Sequence, residues 1–214
     1  MIIVGTEILT SFIHIVSESL LTPVVILLVI FLIISILSIG SLINEKFTRK
    51  KLTHNELELI LNKINDAESI DSLRESIESS NLLDNQKEII LSIVNNYNLE
   101  VEARKSFATK LIEDEQMRLL KKTNLSDIFV RIGPVLGLLG TLIPLGPGLS
   151  ALGSGQIDTL AQALTIAFDT TVVGLTISSL SYIVSKYRKQ WYEEDLTAIE
   201  TIAEATLEKI IKLE

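Results

Sequence analysis

Apolar residues in this chain gather in long blocks instead of alternating with polar ones, and the first block is the purest. Residues 24–39 carry no charge, and Ser35 and Ser38 are their only polar side chains. A helix rising about 1.5 Å per residue needs roughly 20 such residues to cross a hydrocarbon core about 30 Å thick. Residues 22–43 are therefore expected to span a bilayer. Two later blocks, roughly 128–147 and 157–184, are separated by Leu145-Gly146-Pro147-Gly148, where glycine and proline predict a turn. They read as a hairpin of membrane helices, with spans at 128–147 and 158–185 joined by an external loop at 148–157.

The remaining segments carry helical periodicity with polar faces. In residues 1–21, Ile2, Ile3, Leu9, Phe12, Ile13, Val16 and Leu20 recur at roughly helical spacing, the pattern of an amphipathic helix lying in a membrane interface. His14 sits on it with no role assigned. Residues 44–127 place Leu57, Ile60, Leu61 and Ile64 at helical periods, and are expected to form a small helical domain. Thr53 with Glu56 has the form of a capping box. Residues 81–85 and 95–98 are asparagine-rich breaks, and the pattern then runs unbroken from about Leu99 to Lys122, towards the second span.

In the tail, 186–214, Leu196, Ile199, Ala203, Thr206, Ile210 and Leu213 make one seam by alternating steps of three and four. Two partners are open for that seam, the chain's own middle domain or a neighbouring subunit. The fold class is all-α: an integral membrane protein with three transmembrane helices and a cytoplasmic helical domain.

Charge placement supplies the orientation. None of the 19 basic residues lies in segment 1–23 or in 146–157, whereas Lys46, Arg49, Lys50, Lys51, Lys121, Lys122, Arg131, Lys186, Arg188 and Lys189 flank the other helix ends. Cytoplasmic flanks retain Lys and Arg, so the N-terminus is expected outside and the C-terminus inside a cell (inner) membrane. A secretory signal does not fit, because no basic segment precedes the first block and no small-residue cleavage pattern follows it. Trp191 and Tyr192 beside the basic cluster suit interfacial anchoring.

The net charge of −8 is dispersed and makes no nucleic-acid footprint, and cysteine is absent. With no metal-ligand cluster, phosphate loop or nucleophile–base pairing, no enzyme activity and no cofactor are expected.

Small and polar residues set the later spans apart. Gly133, Pro134, Gly137, Gly140 and Thr141 mostly share one face of the second span, as helices in close contact require. The third span carries two stripes. Asp158, Gln162, Thr165, Asp169 and Thr176 lie on one side. Ala167, Thr171, Gly174, Ser178, Ser181 and Ser185 lie roughly opposite, with Asp169 and Thr171 about 160° apart. A carboxylate at membrane depth is costly, so Asp169 is either functional or a hydrogen-bonded pin between helices.

The run GPVLGLLGT at 133–141, a short loop, and ALTIAFDTTVVGL at 163–175 resemble the MotA/TolQ/ExbB proton-channel family, on its three-span ExbB/TolQ-like branch. The resemblance implies a homopentamer whose second and third spans surround a pore. That pore would hold the single-span helices of a dimeric ExbD/TolR/MotB-like partner carrying a protonatable aspartate. Proton entry would turn the pentamer about that partner and drive mechanical work at the envelope. The family's threonines fall on Thr141 and Thr171, whose hydroxyls both donate and accept. Where ExbB-like members carry a glutamate five residues before the second threonine, this chain has Ile166, with Asp169 three residues further on. The expected ion pathway is thus Thr141, Thr171 and Asp169, with Gly133, Pro134, Gly137, Gly140, Gly174 and Ser178 as packing residues. The alternative is a non-conducting membrane scaffold assembled through the same glycine-rich hairpin.

Overall fold

The computed structural model describes residues 4–49 and 51–214, with side chains from Glu7 onward. Ile2, Ile3 and Lys50 of the expected amphipathic and basic segments lie outside the described residues. Helix makes up 89% of the chain, and no strand occurs among the described residues, so the protein is all-α. The helices are α1 (Val4–Ser19), α2 (Leu21–Thr48), α3 (His54–Asp66), α4 (Ile70–Glu78), α5 (Asp84–Asn95), α6 (Val101–Gly153) and α7 (Ile157–Leu213). Three helical stretches are long and apolar enough to cross a membrane. The chain is an integral membrane protein built on them.

Two compact units divide the chain. Met1–Glu45 and Asn124–Lys186 form one, Lys46–Thr123 and Tyr187–Glu214 the other. In the first, α1 leaves Ile8, Leu9, Phe12, Ile13 and Ile15 exposed along its length. Val24 and Leu28 of α2 are buried with Phe129 and Leu136 of α6 and Ile177 of α7.

The expected turn at Leu145–Gly148 does not form. α6 runs through Pro144 and Pro147 to Gly153. A helix keeps backbone groups bonded where no water can replace them, and glycine in such a setting serves close approach. Gly148 is such a position, since a Cβ there would stand 2.8 Å from the Cβ of Ala163. The chain reverses instead at Ser154, Gly155 and Gln156. Gly155 has φ +76°, Gln156 N–H donates to Ala151 O at 2.9 Å, and Gly155 N–H to Leu152 O at 3.0 Å. That pair of bonds is a Schellman cap, which needs a left-handed residue after the helix.

In the second unit the core is aliphatic: Ile60, Ile64, Leu73, Ile77, Ile90 and Ile93 pack with Ala108 of α6 and with Ile199, Ile202, Ala203 and Ile210 of α7. The tail seam is therefore filled from within the chain, and Ile202 belongs to it although the three-four pattern passed it over. Helix α3 opens as its sequence predicts, with Glu56 Oε2 accepting from Thr53 N–H at 2.8 Å. That bond, helped by Asn81, holds the Glu56 carboxyl below its usual range. Beside it, Arg49 donates to Asp195 Oδ1 at 2.6 Å and to Trp191 O at 2.8 Å, with its guanidinium 5.5 Å from the Trp191 ring centre. Burial pushes the Asp195 carboxyl up, and Arg49 opposes the shift.

Candidate functional site

In the membrane unit α6 and α7 meet backbone to backbone. A Cβ at Gly174 would stand 2.6 Å from Gly133 O and 2.8 Å from Gly137 Cα. One at Gly140 would stand 2.5 Å from the Thr170 Cβ. Contacts run from Gly148 with Ala163, through Gly140 with Thr170 and Gly133 with Gly174, to Asp127 with Ser185. As residue number falls on α6 it rises on α7, so the two helices are antiparallel.

The seam fixes where every other residue points, at about 100° of rotation per residue. Helix α2 covers one flank. Phe31 stacks on Phe129 with centroids 4.2 Å apart, the Ser35 and Ser181 hydroxyls share a hydrogen bond of 3.1 Å, and Leu136 and Ile143 are buried there. Thr141 lies about 60° round α6 from the seam and Thr171 about 80° round α7, both in the same rotational sense. Between antiparallel helices, equal senses of rotation lead to the same side. Both threonines therefore stand on the flank opposite α2, at one level, half-buried.

Each threonine hydroxyl is bonded to its own helix: Thr141 Oγ1 donates to Leu138 O at 2.6 Å, and Thr171 Oγ1 to Ala167 O at 3.0 Å. Those bonds use the hydrogens and leave oxygen lone pairs able to accept. Leu138 and Leu175 are exposed beside them on the same flank.

Asp169 is not brought to the threonines. It is exposed on another face of α7, as are Asp158, Gln162, Thr165 and Thr176. The hydroxyls of Thr165 and Thr176 turn back to Ala161 O and Val172 O. Of the opposite stripe, Ala167, Ser181 and Ser185 are buried within the protein and Gly174 lies in the seam.

Pro134 and Ser178 form a working pair. Proline has no N–H, so the carbonyl four residues earlier loses its helical donor. That carbonyl belongs to Val130, and Ser178 Oγ donates to it across the seam at 2.8 Å. Two further features escaped the sequence reading. Thr170 is buried against Gly140, and Ser185 Oγ donates to Asp127 Oδ1 at 2.5 Å. The first follows only once the helix pairing is known. The second had a signal, because Asp127, Pro134 and Thr141 recur every seven residues.

These features define a class: a three-span helical membrane protein whose last two spans pack through glycine and expose hydroxyls along one flank. Residues 82–201, more than half of the chain, match the MotA/TolQ/ExbB proton channel family, and the chain belongs to it. It is a channel family and not an enzyme family, and its members form membrane complexes with partner proteins. No individual curated protein matches the chain at a significant level.

Proposed function

We propose that this protein is the pore-forming subunit of a complex driven by the proton-motive force, conducting protons with a single-span ExbD/TolR/MotB-like partner to do mechanical work at the cell envelope. Membership of a proton channel family gives the role in energy coupling. The observation that carries the finer reading is the shared flank of Thr141 and Thr171, on the side away from α2. Five copies arranged with α2 outward turn that flank to a central pore, where the threonine oxygens meet the partner's carboxylate and its water. The partner's dimer fills the pore, and proton entry turns the ring about it.

The charge pattern supports an inner-membrane orientation with the N-terminus outside, which puts the unit of Lys46–Thr123 and Tyr187–Glu214 in the cytoplasm. In this arrangement Asp169 faces away from the threonine flank and makes its contact elsewhere.

Proton flux into liposomes holding the chain with its partner tests the reading. Gradient-driven flux in the native complex, lost in Thr141→Val or Thr171→Val and retained in Asp169→Asn, is the expected result. A correctly assembled complex that passes no protons would leave a scaffold built on the glycine hairpin. Flux indifferent to both threonines would sink the proposed path.

A further inference from the structure

We propose that Asp127 is the inner station of the proton path, a carboxylate held in place by Ser185 that takes each arriving proton and releases it to water on the inner side. The inference rests on the reading that the threonine flank of α6 and α7 faces the pore.

The flank has a regular ladder. On α6, Thr141, Pro134 and Asp127 follow one another at steps of seven, and on α7 Thr171, Ser178 and Ser185 do the same. Seven residues are about two turns, or about 10 Å along the axis, and rows at that spacing keep to one side with a drift of only about 20° per step. Because the helices are antiparallel, the rungs match: Thr141 with Thr171, Pro134 with Ser178, Asp127 with Ser185.

The chemistry of the rungs differs. At the middle rung the Ser178 hydroxyl satisfies the carbonyl that Pro134 strands, so it is occupied with holding the hairpin. At the threonine rung both hydroxyls donate to their own helices. Only the third rung carries a group that can hold a proton through a full charge change. Ser185 is 4% exposed, and its hydroxyl fixes Asp127 Oδ1, while Asp127 itself is half-buried. A buried donor that orients a more accessible carboxylate suits a group that must meet water repeatedly in one geometry. Asp127 is also the only acidic residue of α6 beyond Glu115. Arg131 lies one turn away on α6, and the Lys186 ammonium sits 5.9 Å from the Tyr182 ring centre.

The step balances simply. A proton arriving through pore water adds to the Asp127 carboxylate and makes it a neutral acid. Transfer of that proton to inner water restores the carboxylate, and Ser185 keeps its own proton throughout.

The test uses the full chain with its partner in liposomes, a pH-sensitive dye inside, and flux normalised to assembled complex. Asn at position 127 still accepts from Ser185 but holds no exchangeable charge, so Asp127→Asn keeps the Ser185 bond and removes the proton carrier. The expected result is a fall in flux of at least about tenfold, the cost of about 1.4 kcal/mol in barrier, with assembly retained. Native flux in Asp127→Asn would overturn the inference and leave the channel reading intact, whereas no flux in the native complex would overturn both. Should Asp127→Asn fail to assemble, Asp127→Glu decides: a displaced dependence of flux on inner pH supports the relay, and an unchanged profile overturns it.

Discussion

In the unit formed by Lys46–Thr123 and Tyr187–Glu214, isoleucine and leucine fill the centre; in the unit formed by Met1–Glu45 and Asn124–Lys186, α6 and α7 meet through glycine. The contrast follows from the solvent. In water, burying aliphatic surface is favourable at about 25 cal/mol per Å², so Ile64, Leu73, Ile90 and Ile202 stabilise their unit by leaving it. In a bilayer, lipid tails are as apolar as leucine, so helix pairing must come from close backbone approach and from hydrogen bonds between helices. The Gly133–Gly174 contact and the Ser178 bond to Val130 O are of that kind.

The sharpest way to break this contrast is to add one carbon to the membrane hairpin. Gly174→Ala places a Cβ 2.6 Å from a backbone carbonyl oxygen, which no side-chain rotation can relieve. The expected loss is about 3 kcal/mol or more, read as a lowered midpoint of unfolding in mixed micelles. Gly40→Ala is the control. Nothing lies within 4 Å of a Cβ there, and alanine is the better helix former by about 1 kcal/mol, so stability should hold or rise. An equal loss at both positions would show that the close approach at Gly174 is not what the substitution disturbs.

Removing carbons should hurt the other unit by the reverse route. Ile202 is fully buried among Ile60, Ile64 and Ile93 of the same core, and Ile202→Ala should cost about 2–4 kcal/mol through lost transfer energy and a cavity. Chemical denaturation of the full chain measures it. A change under about 1 kcal/mol would mean the tail is only loosely seated.

The same contrast explains what could be read in advance. Amphipathic periodicity marked α3 and the tail seam because aliphatic burial in water leaves a pattern at 3.6 residues. It passed over Ile202 because the seam is wider than a single three-four row. In the membrane unit, glycine and proline carry a meaning opposite to the one they have in loops, which is why Leu145–Gly148 read as a turn and is helix. The glycine face was legible as a packing face. The separation of Asp169 from Thr171 was legible too, but which residues flank the glycine face could not be assigned until the antiparallel pairing fixed a direction of rotation, and only then do Thr141 and Thr171 fall on one flank.

A double-mutant cycle sharpens the membrane side. Ser178→Ala alone strands the Val130 carbonyl and should cost about 1 kcal/mol. Pro134→Ala returns an N–H to α6, which can bond that carbonyl within the helix. In the Pro134→Ala background, Ser178→Ala should therefore cost much less, giving a coupling of about 0.5–1 kcal/mol. Strict additivity would show that the serine and the proline act independently.

The smallest effect belongs to the aqueous unit and depends on pH. Glu56 accepts from Thr53 N–H at the start of α3, and its carboxyl is held below its ordinary value of 4.5. A group whose folded value is depressed contributes stability above its unfolded value and loses it as pH falls through the folded one. Asp195, whose carboxyl is raised by burial from 3.8, has the opposite sign, so total stability in this range mixes the two. The difference between native protein and Glu56→Gln isolates the cap, because glutamine keeps an acceptor without the charge. The native protein should be slightly more stable at neutral pH, with the advantage vanishing below pH 4.5. An advantage that persists undiminished well into acid would show that the α3 cap draws nothing from the ionised carboxylate.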